Sequence, residues 1–128
     1  MYKIVICGGR NFDDYELLQK YVDQELPANI EVEIVSGGAK GADRLGERYA
    51  HENHISLKIM RANWDAYGKR AGFLRNTDMA KYCDAVLAFW DGKSVGTEHM
   101  IKEAKKLRRK VTVVNYVDNQ NKSSDWTC

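Results

Sequence analysis

Proline and long apolar runs are nearly absent from this chain of 128 residues. Pro27 is its single proline, and no apolar stretch approaches the roughly 18 residues of a membrane span. The N-terminus also lacks the apolar segment of a signal peptide. A membrane-spanning protein is therefore excluded, and we expect a cytoplasmic protein with no membrane partner.

Cysteine pairs and metal-ligand spacings are also missing. The three cysteines form no C-x-x-C motif, which favours a reducing compartment, with Cys7 and Cys83 buried and Cys128 a terminal thiol. His51, His54 and His99 have no cysteine or carboxylate at metal spacing. We therefore predict no metal site and no cofactor.

A strong charge of one sign is absent as well. The net charge is +2, which is too small to indicate a nucleic-acid partner. Residues 102–110 carry six Lys or Arg, but they fall on a predicted helix and the turn after it. We interpret them as a solvated helix face and helix end.

Strand-like and helix-like patterns alternate along the chain. Short apolar runs predict strands at residues 2–7, 31–38, 55–60, 84–90 and 110–115. A D-x-x-E capping box at residues 13–16 begins a helix that Pro27 closes, and further helices are predicted at residues 39–53, 72–82 and 97–107. This alternation predicts an α/β fold: a Rossmann-like three-layer sandwich of about five mostly parallel strands with helices on both faces. Residues 1–117 would form one domain and residues 118–128 a polar tail.

Glycine-rich turns follow three of the predicted strands. They read CGGRN from Cys7, SGGAKGAD from Ser36 and WDGKSVGT from Trp90. Parallel strands bring such turns to one sheet edge, and glycine lets the backbone approach a ligand closely. Two of the turns enter helices, whose N-termini favour phosphate. Each turn alone could simply shape a strand–helix connection; together they predict a phosphate site.

Neither familiar nucleotide motif fits these turns. A P-loop needs a glycine five residues before Gly92, where Leu87 stands, and the first turn has the wrong spacing for G-x-G-x-x-G. Trp64, Tyr67 and Trp90 could stack on a base, although buried packing is the commoner use of such side chains.

A family resemblance covers most of the chain. GGRNF, IVSGGAKGADRLGERYA, ANWDAYGKRAGFLRN and CDAVLAFWDGKSVGTEHM occur in that order and resemble the YspA/YpsA-related group of the SLOG superfamily (DUF2493). The resemblance implies a Rossmann-like fold that binds nucleotides or their derivatives, in phage or bacterial proteins. Its LOG branch cleaves nucleoside monophosphates to free base and ribose 5-phosphate, and its Smf/DprA branch binds single-stranded DNA. LOG-type domains commonly pair, so a homodimer is possible.

The resemblance also implies roles for individual residues. Arg75 stands at the position of the LOG branch's catalytic arginine, with Asn76 replacing a lysine, and Gly96-Thr97 matches its phosphate loop. That branch has a glutamate three residues after the threonine, where this chain has Met100. Glu98 would project about 200° away on a helix, so hydrolysis becomes the second hypothesis.

The leading hypothesis is a nucleotide-binding protein, acting as a sensor or by sequestering its ligand. Asp43 could accept ribose hydroxyls or cap a helix. A LOG-like phosphoribohydrolase, with Arg75, Asp43 and Glu98 as candidate catalytic residues, and single-stranded DNA binding are the alternatives. The residues predicted to bind the ligand are Gly8, Gly9, Arg10, Ser36, Gly37, Gly38, Lys40, Gly41, Asp43, Arg75, Asn76, Trp90, Asp91, Gly92, Gly96 and Thr97.

Overall fold

The computed structural model describes residues 1–117 of the protein. The predicted tail, residues 118–128, and Cys128 lie outside the described residues. No helix within residues 1–117 has both the length and the apolar character needed to cross a bilayer.

Five parallel strands form a single sheet in the order β3-β2-β1-β4-β5. They are β1 (Tyr2–Gly8), β2 (Val32–Ser36), β3 (Ser56–Ile59), β4 (Ala85–Trp90) and β5 (Lys110–Asn115). The chain builds outward from β1 to β3 and then returns to place β4 on the other side of β1. Strand order therefore reverses between β1 and β4, which is where open α/β sheets bind ligands.

Helices connect the strands. They are α1 (Tyr15–Glu25), α2 (Ala42–Glu52), α3 (Trp64–Tyr67), α4 (Ala71–Tyr82) and α5 (Val95–Lys106), with a single 3₁₀ turn (Gly68–Arg70) between α3 and α4. The predicted α/β sandwich is confirmed. The sequence pattern did not indicate α3 or the 3₁₀ turn, because both lie in the link between the third strand and the fourth long helix.

Two apolar layers cover the two faces of the sheet. Alternate residues of β1 point to opposite faces: Ile4 and Ile6 pack on the side of α1 and α2, while Val5 and Cys7 pack on the side of α4 and α5. Each such fully buried aliphatic side chain contributes about 1.5–3 kcal/mol to folding. Cys7 and Cys83 are both buried, as the sequence predicted.

The starts of α1 and α2 differ from the predicted ones for reasons of local geometry. The cap of α1 is Asp14, whose carboxylate accepts the Leu17 N–H at 3.0 Å, so the predicted capping box was one residue early. Helix α2 begins at Ala42 rather than at residue 39, because Gly41 has a φ of +81° and cannot continue a right-handed helix backward.

The basic run of residues 102–110 lies on α5, the turn after it and the first residue of β5. Lys102, Lys105 and Lys106 are exposed on α5. Arg109, in the turn that follows, donates to the carbonyl oxygens of Ala80 and Lys81 at 2.9 Å. These residues form a solvated helix face and hold the end of α4.

Candidate ligand-binding site

A cleft of about 780 Å³ opens at the carboxyl edge of the sheet, over the point where strand order reverses. The loops after β1, β2 and β3, the start of α2, the α3–α4 segment and the first turn of α5 surround it. It is lined by ten of the predicted ligand-binding residues: Gly8, Arg10, Gly37, Gly38, Lys40, Asp43, Arg75, Asn76, Gly96 and Thr97.

Three predicted ligand-binding residues in the first two turns, Gly9, Ser36 and Gly41, are not among the cleft-lining residues. The Gly9 carbonyl oxygen accepts the N–H groups of Phe12 and Ala42, at 3.2 and 3.3 Å. A side chain on Gly41 would collide with that same carbonyl group. Ser36 donates its hydroxyl to Glu47 at 2.6 Å and accepts the N–H of Gly38 at 3.0 Å. The structure thus places Gly9, Gly41 and Ser36 where they shape the loops.

The turn after β4 is built by its own side chains. Asp91 accepts the N–H groups of Lys93 and Ser94, both at 2.8 Å. The Trp90 indole N–H donates to the Ser94 carbonyl oxygen at 3.1 Å. Trp90, Asp91 and Gly92 are not among the cleft-lining residues, and neither is Lys93. This turn orients the start of α5.

The N-terminus of α5 faces the cleft. Ser94 caps the helix by accepting the Thr97 N–H at 3.5 Å, so α5 begins at Val95, two residues before the predicted start. The first N–H groups of a helix have no partner within the helix and carry its positive dipole end. Because Ser94 accepts the Thr97 N–H, the backbone N–H groups of Val95 and Gly96 are the ones that suit an anion.

Arg75 connects α4 to the loop after β2. Its Nη1 donates to the Gly37 carbonyl oxygen at 2.6 Å, and its Nε donates to Asn76 Oδ1 at 3.1 Å. Among residues 1–117 these two bonds use two of the five guanidinium N–H groups, which leaves three for a ligand. The guanidinium is thus held in a fixed orientation at the cleft wall.

Asn76 is buried and connects α4 to α5. Its Nδ2 donates to the Gly96 carbonyl oxygen at 3.1 Å and lies 3.3 Å from His99 Nδ1. Burial lowers the pKa of His99, whose ring packs on Phe73 at 4.6 Å between centroids. The residue that replaces the lysine of the LOG pattern therefore positions both Arg75 and the first turn of α5.

Asp43 is the acid of the cleft lining. Burial is the main cause that raises its pKa to about 6, opposed by the Ala39 N–H, which its carboxylate accepts at 3.3 Å, and by the charge of Arg75. Arg75 Nη1 and Asp43 Oδ2 lie 2.7 and 2.8 Å from the point that a Cβ on Gly37 would occupy. Because Gly37 has no side chain, the Arg75 guanidinium and the Asp43 carboxylate can both approach its backbone.

Cations outnumber acids in this lining by a wide margin. Among the described residues six basic side chains face the cleft against the single carboxylate of Asp43: Arg10, Lys40, Arg44, Arg61, Lys69 and Arg75. Sequence reasoning missed Arg44, Arg61 and Lys69. Arg61 and Lys69 fall in the link after β3. Because β3 is a parallel strand, this link begins at the same edge of the sheet as the glycine-rich turns, and that could have indicated both residues.

Two exposed aromatic residues correct the expectation of buried packing. Trp64 and Tyr67 are each 54% exposed, and Trp64 lines the cleft whereas Tyr67 does not. Phe73, which the sequence did not single out, is also exposed and lines the cleft. The link that looked like a simple connection therefore forms part of the site.

The carboxylate of the LOG pattern has no equivalent in the cleft. Met100, at the matching position, is buried and lines it. Glu98 is not a lining residue, and its carboxylate lies 3.8 Å from Lys102 on the same helix. No cluster of three His, Cys, Asp or Glu side chains within residues 1–117 could hold a metal ion.

Comparison with known proteins places the chain in a family. The model of the YspA, cpYpsA-related SLOG family matches residues 2–67. The Gene 61 protein of Mycobacterium phage D29 is 34% identical over 125 residues, covering 92% of this chain and 98% of the phage protein. No solved structure gives a significant match. The chain belongs to the YspA, cpYpsA-related SLOG family, which suggests a nucleotide-related role.

Proposed function

We propose that the protein binds a nucleotide or nucleotide-derived ligand in this cleft, as a sensor or by sequestering it. The observation that carries the proposal is the concentration of six cationic side chains and one carboxylate around a single cleft. The whole chain has a net charge of only +2. A surplus of this kind, focused at one concave site, attracts a small anion.

Arg75 is the group best suited to bind phosphate. Its hydrogen bonds to Gly37 and Asn76 hold the guanidinium in place before a ligand arrives, and the remaining N–H groups form a fork that matches two phosphate oxygens. Ordering this side chain in advance lowers the entropy lost on binding. A lysine would supply charge without this geometry.

The first turn of α5 would bind further phosphate oxygens. Gly96 has no atom within 4 Å of the point where its Cβ would lie, so a ligand can approach the backbone closely there. The Thr97 hydroxyl lies 3.1 Å from that of Ser94 and would add a polar group beside it. The exposed basic groups Lys40 and Lys69 would contribute charge around the ligand.

Calorimetric titration with AMP, ADP-ribose and NAD tests the proposal. We expect saturable heat with at least one of them, lost in Arg75→Ala and weakened by added salt. Mass spectrometry of small molecules released from the denatured protein would identify a co-purified ligand. Absence of heat, of a melting-temperature shift and of a co-purified nucleotide would contradict binding.

Hydrolysis of an N-glycosidic bond is a second candidate, favoured by the buried carboxylate of Asp43 beside Arg75. Its raised pKa, about 6, allows it to exchange a proton near neutral pH. Water would add to the anomeric carbon while the base leaves with a proton. Chromatography of nucleotide incubations would reveal free base. Asp43→Asn should abolish such activity and Glu98→Gln should retain it, because Glu98 lies outside the cleft lining.

A further inference from the structure

We propose that Trp64 is the stacking surface for a heteroaromatic base, so that the ligand of this cleft must carry one. The inference rests on the proposed function and names the residue that would select nucleotides from other phosphates. An exposed indole at the mouth of a cationic cleft is the observation behind it.

Trp64 is held at the cleft by local structure. It is the first residue of α3, and the preceding Asn63 caps that helix by accepting the Ala66 N–H at 3.1 Å. The cap fixes the start of the helix and hence the backbone position from which the indole extends. A large apolar ring that is 54% exposed beside a cleft is an informative feature of a surface.

Apolar and cationic side chains share the lining of the cleft. Trp64, Phe73 and Val95 are all exposed and line the side formed by α3, α4 and α5. Arg10 and Lys40 lie on the loops after β1 and β2, whereas Lys69 and Arg75 belong to the same α3–α4 segment as Trp64. A ligand that complements this lining has an apolar flat part and an anionic part, as a nucleotide does.

Trp64 and Arg75 both lie beside Gly72. The point that its Cβ would occupy lies 3.3 Å from Cη2 of Trp64 and 4.0 Å from Nη2 of Arg75. The edge of the Trp64 indole and Nη2 of Arg75 therefore both flank Gly72. A base on Trp64 would leave its phosphate within reach of Arg75.

Stacking on an aromatic side chain tolerates any base, because every base presents a π face. The site would thus require a base without choosing strongly among the four. Ribose 5-phosphate, which shares the sugar and the phosphate, would lack this contact. The difference in affinity between a nucleoside monophosphate and ribose 5-phosphate therefore measures the contribution of the base.

The experiment compares AMP, GMP, CMP and UMP with ribose 5-phosphate on three variants of the full chain. Trp64→Ala should weaken nucleotide binding by roughly 5- to 150-fold and leave ribose 5-phosphate binding unchanged. Trp64→Phe should retain most of the affinity. Tyr67→Ala is the matched control, since Tyr67 is equally exposed on the same helix but does not line the cleft.

Tryptophan fluorescence gives a second measurement that does not depend on the folding of Trp64→Ala. AMP should quench the emission of the wild type and ribose 5-phosphate should not, and Trp64→Phe should lose the quenching. Equal loss of AMP and ribose 5-phosphate affinity in Trp64→Ala would overturn the inference while leaving phosphate binding intact. Unchanged AMP affinity in Trp64→Ala would also overturn the inference, whether or not the oligomeric state of the variant changed. If the wild type binds neither a nucleotide nor ribose 5-phosphate, the proposed function fails together with the stacking inference.

Discussion

The guanidinium of Arg75 donates a hydrogen bond of 2.6 Å to the carbonyl oxygen of Gly37, across 38 positions of sequence. This bond joins α4 to the loop between β2 and α2 and forms one wall of the cleft. It explains how a helix on one side of the sheet and a loop at its edge present a single anion-binding surface.

Arg75→Lys should weaken AMP binding by at least about tenfold, because an ammonium cannot keep both bonds and still offer a fork to phosphate. Calorimetry measures the loss. Arg70→Lys is the control, since Arg70 is exposed and is not a lining residue. Equal affinities for the wild type and Arg75→Lys would show that the fork geometry is irrelevant.

Gly37→Ala should lower both stability and affinity. The added methyl group would lie 2.7 Å from Arg75 Nη1 and 2.8 Å from Asp43 Oδ2, so one of them must move. We expect a loss of about 1–3 kcal/mol in the free energy of unfolding, measured with urea, together with weaker AMP binding.

Gly96→Ala serves as the comparison for that substitution. Nothing lies within 4 Å of its added methyl group, and alanine favours a helix over glycine. Its stability should equal or exceed that of the wild type. A Gly37→Ala variant as stable as Gly96→Ala would contradict the crowding at position 37.

Asp43 should make stability fall as the pH rises from about 4 to about 6. Its pKa is about 6 in the folded protein against an ordinary value of 3.8, so the folded state holds the extra proton within that interval. The unfolding free energy of the wild type, relative to that of Asp43→Asn, should drop by up to about 3 kcal/mol across it and stay level above it. Urea titrations at several pH values measure the difference. A constant difference between the two proteins would refute the raised pKa.

Asn76→Ala should release Arg75 and the first turn of α5 together. It removes the acceptor of Arg75 Nε and the donor to the Gly96 carbonyl oxygen. Loss of buried hydrogen bonds should cost about 1–3 kcal/mol of stability, and AMP affinity should fall as well. Asp78→Ala, at an exposed position of the same helix, should change neither. Wild-type affinity in Asn76→Ala would show that Arg75 needs no such support.

Local patterns allowed the fold to be predicted well. Apolar runs the length of a strand were enough to find all five strands, because buried parallel strands read as continuous apolar segments. The helix boundaries were less predictable. The Ser94 cap and the positive φ of Gly41 decide them, and neither stands out in a string of small polar and glycine residues.

The sequence by itself determined the order of strands and helices and the edge of the sheet where the glycine-rich turns meet. It did so because these features depend on residue periodicity and on the parallel direction of the strands. Tertiary structure alone decided that Arg61 and Trp64 line the cleft while Asp91 does not. Which way such side chains point depends on the rotation of each helix and the path of each link, and distant contacts such as that between Arg75 and Gly37 set both.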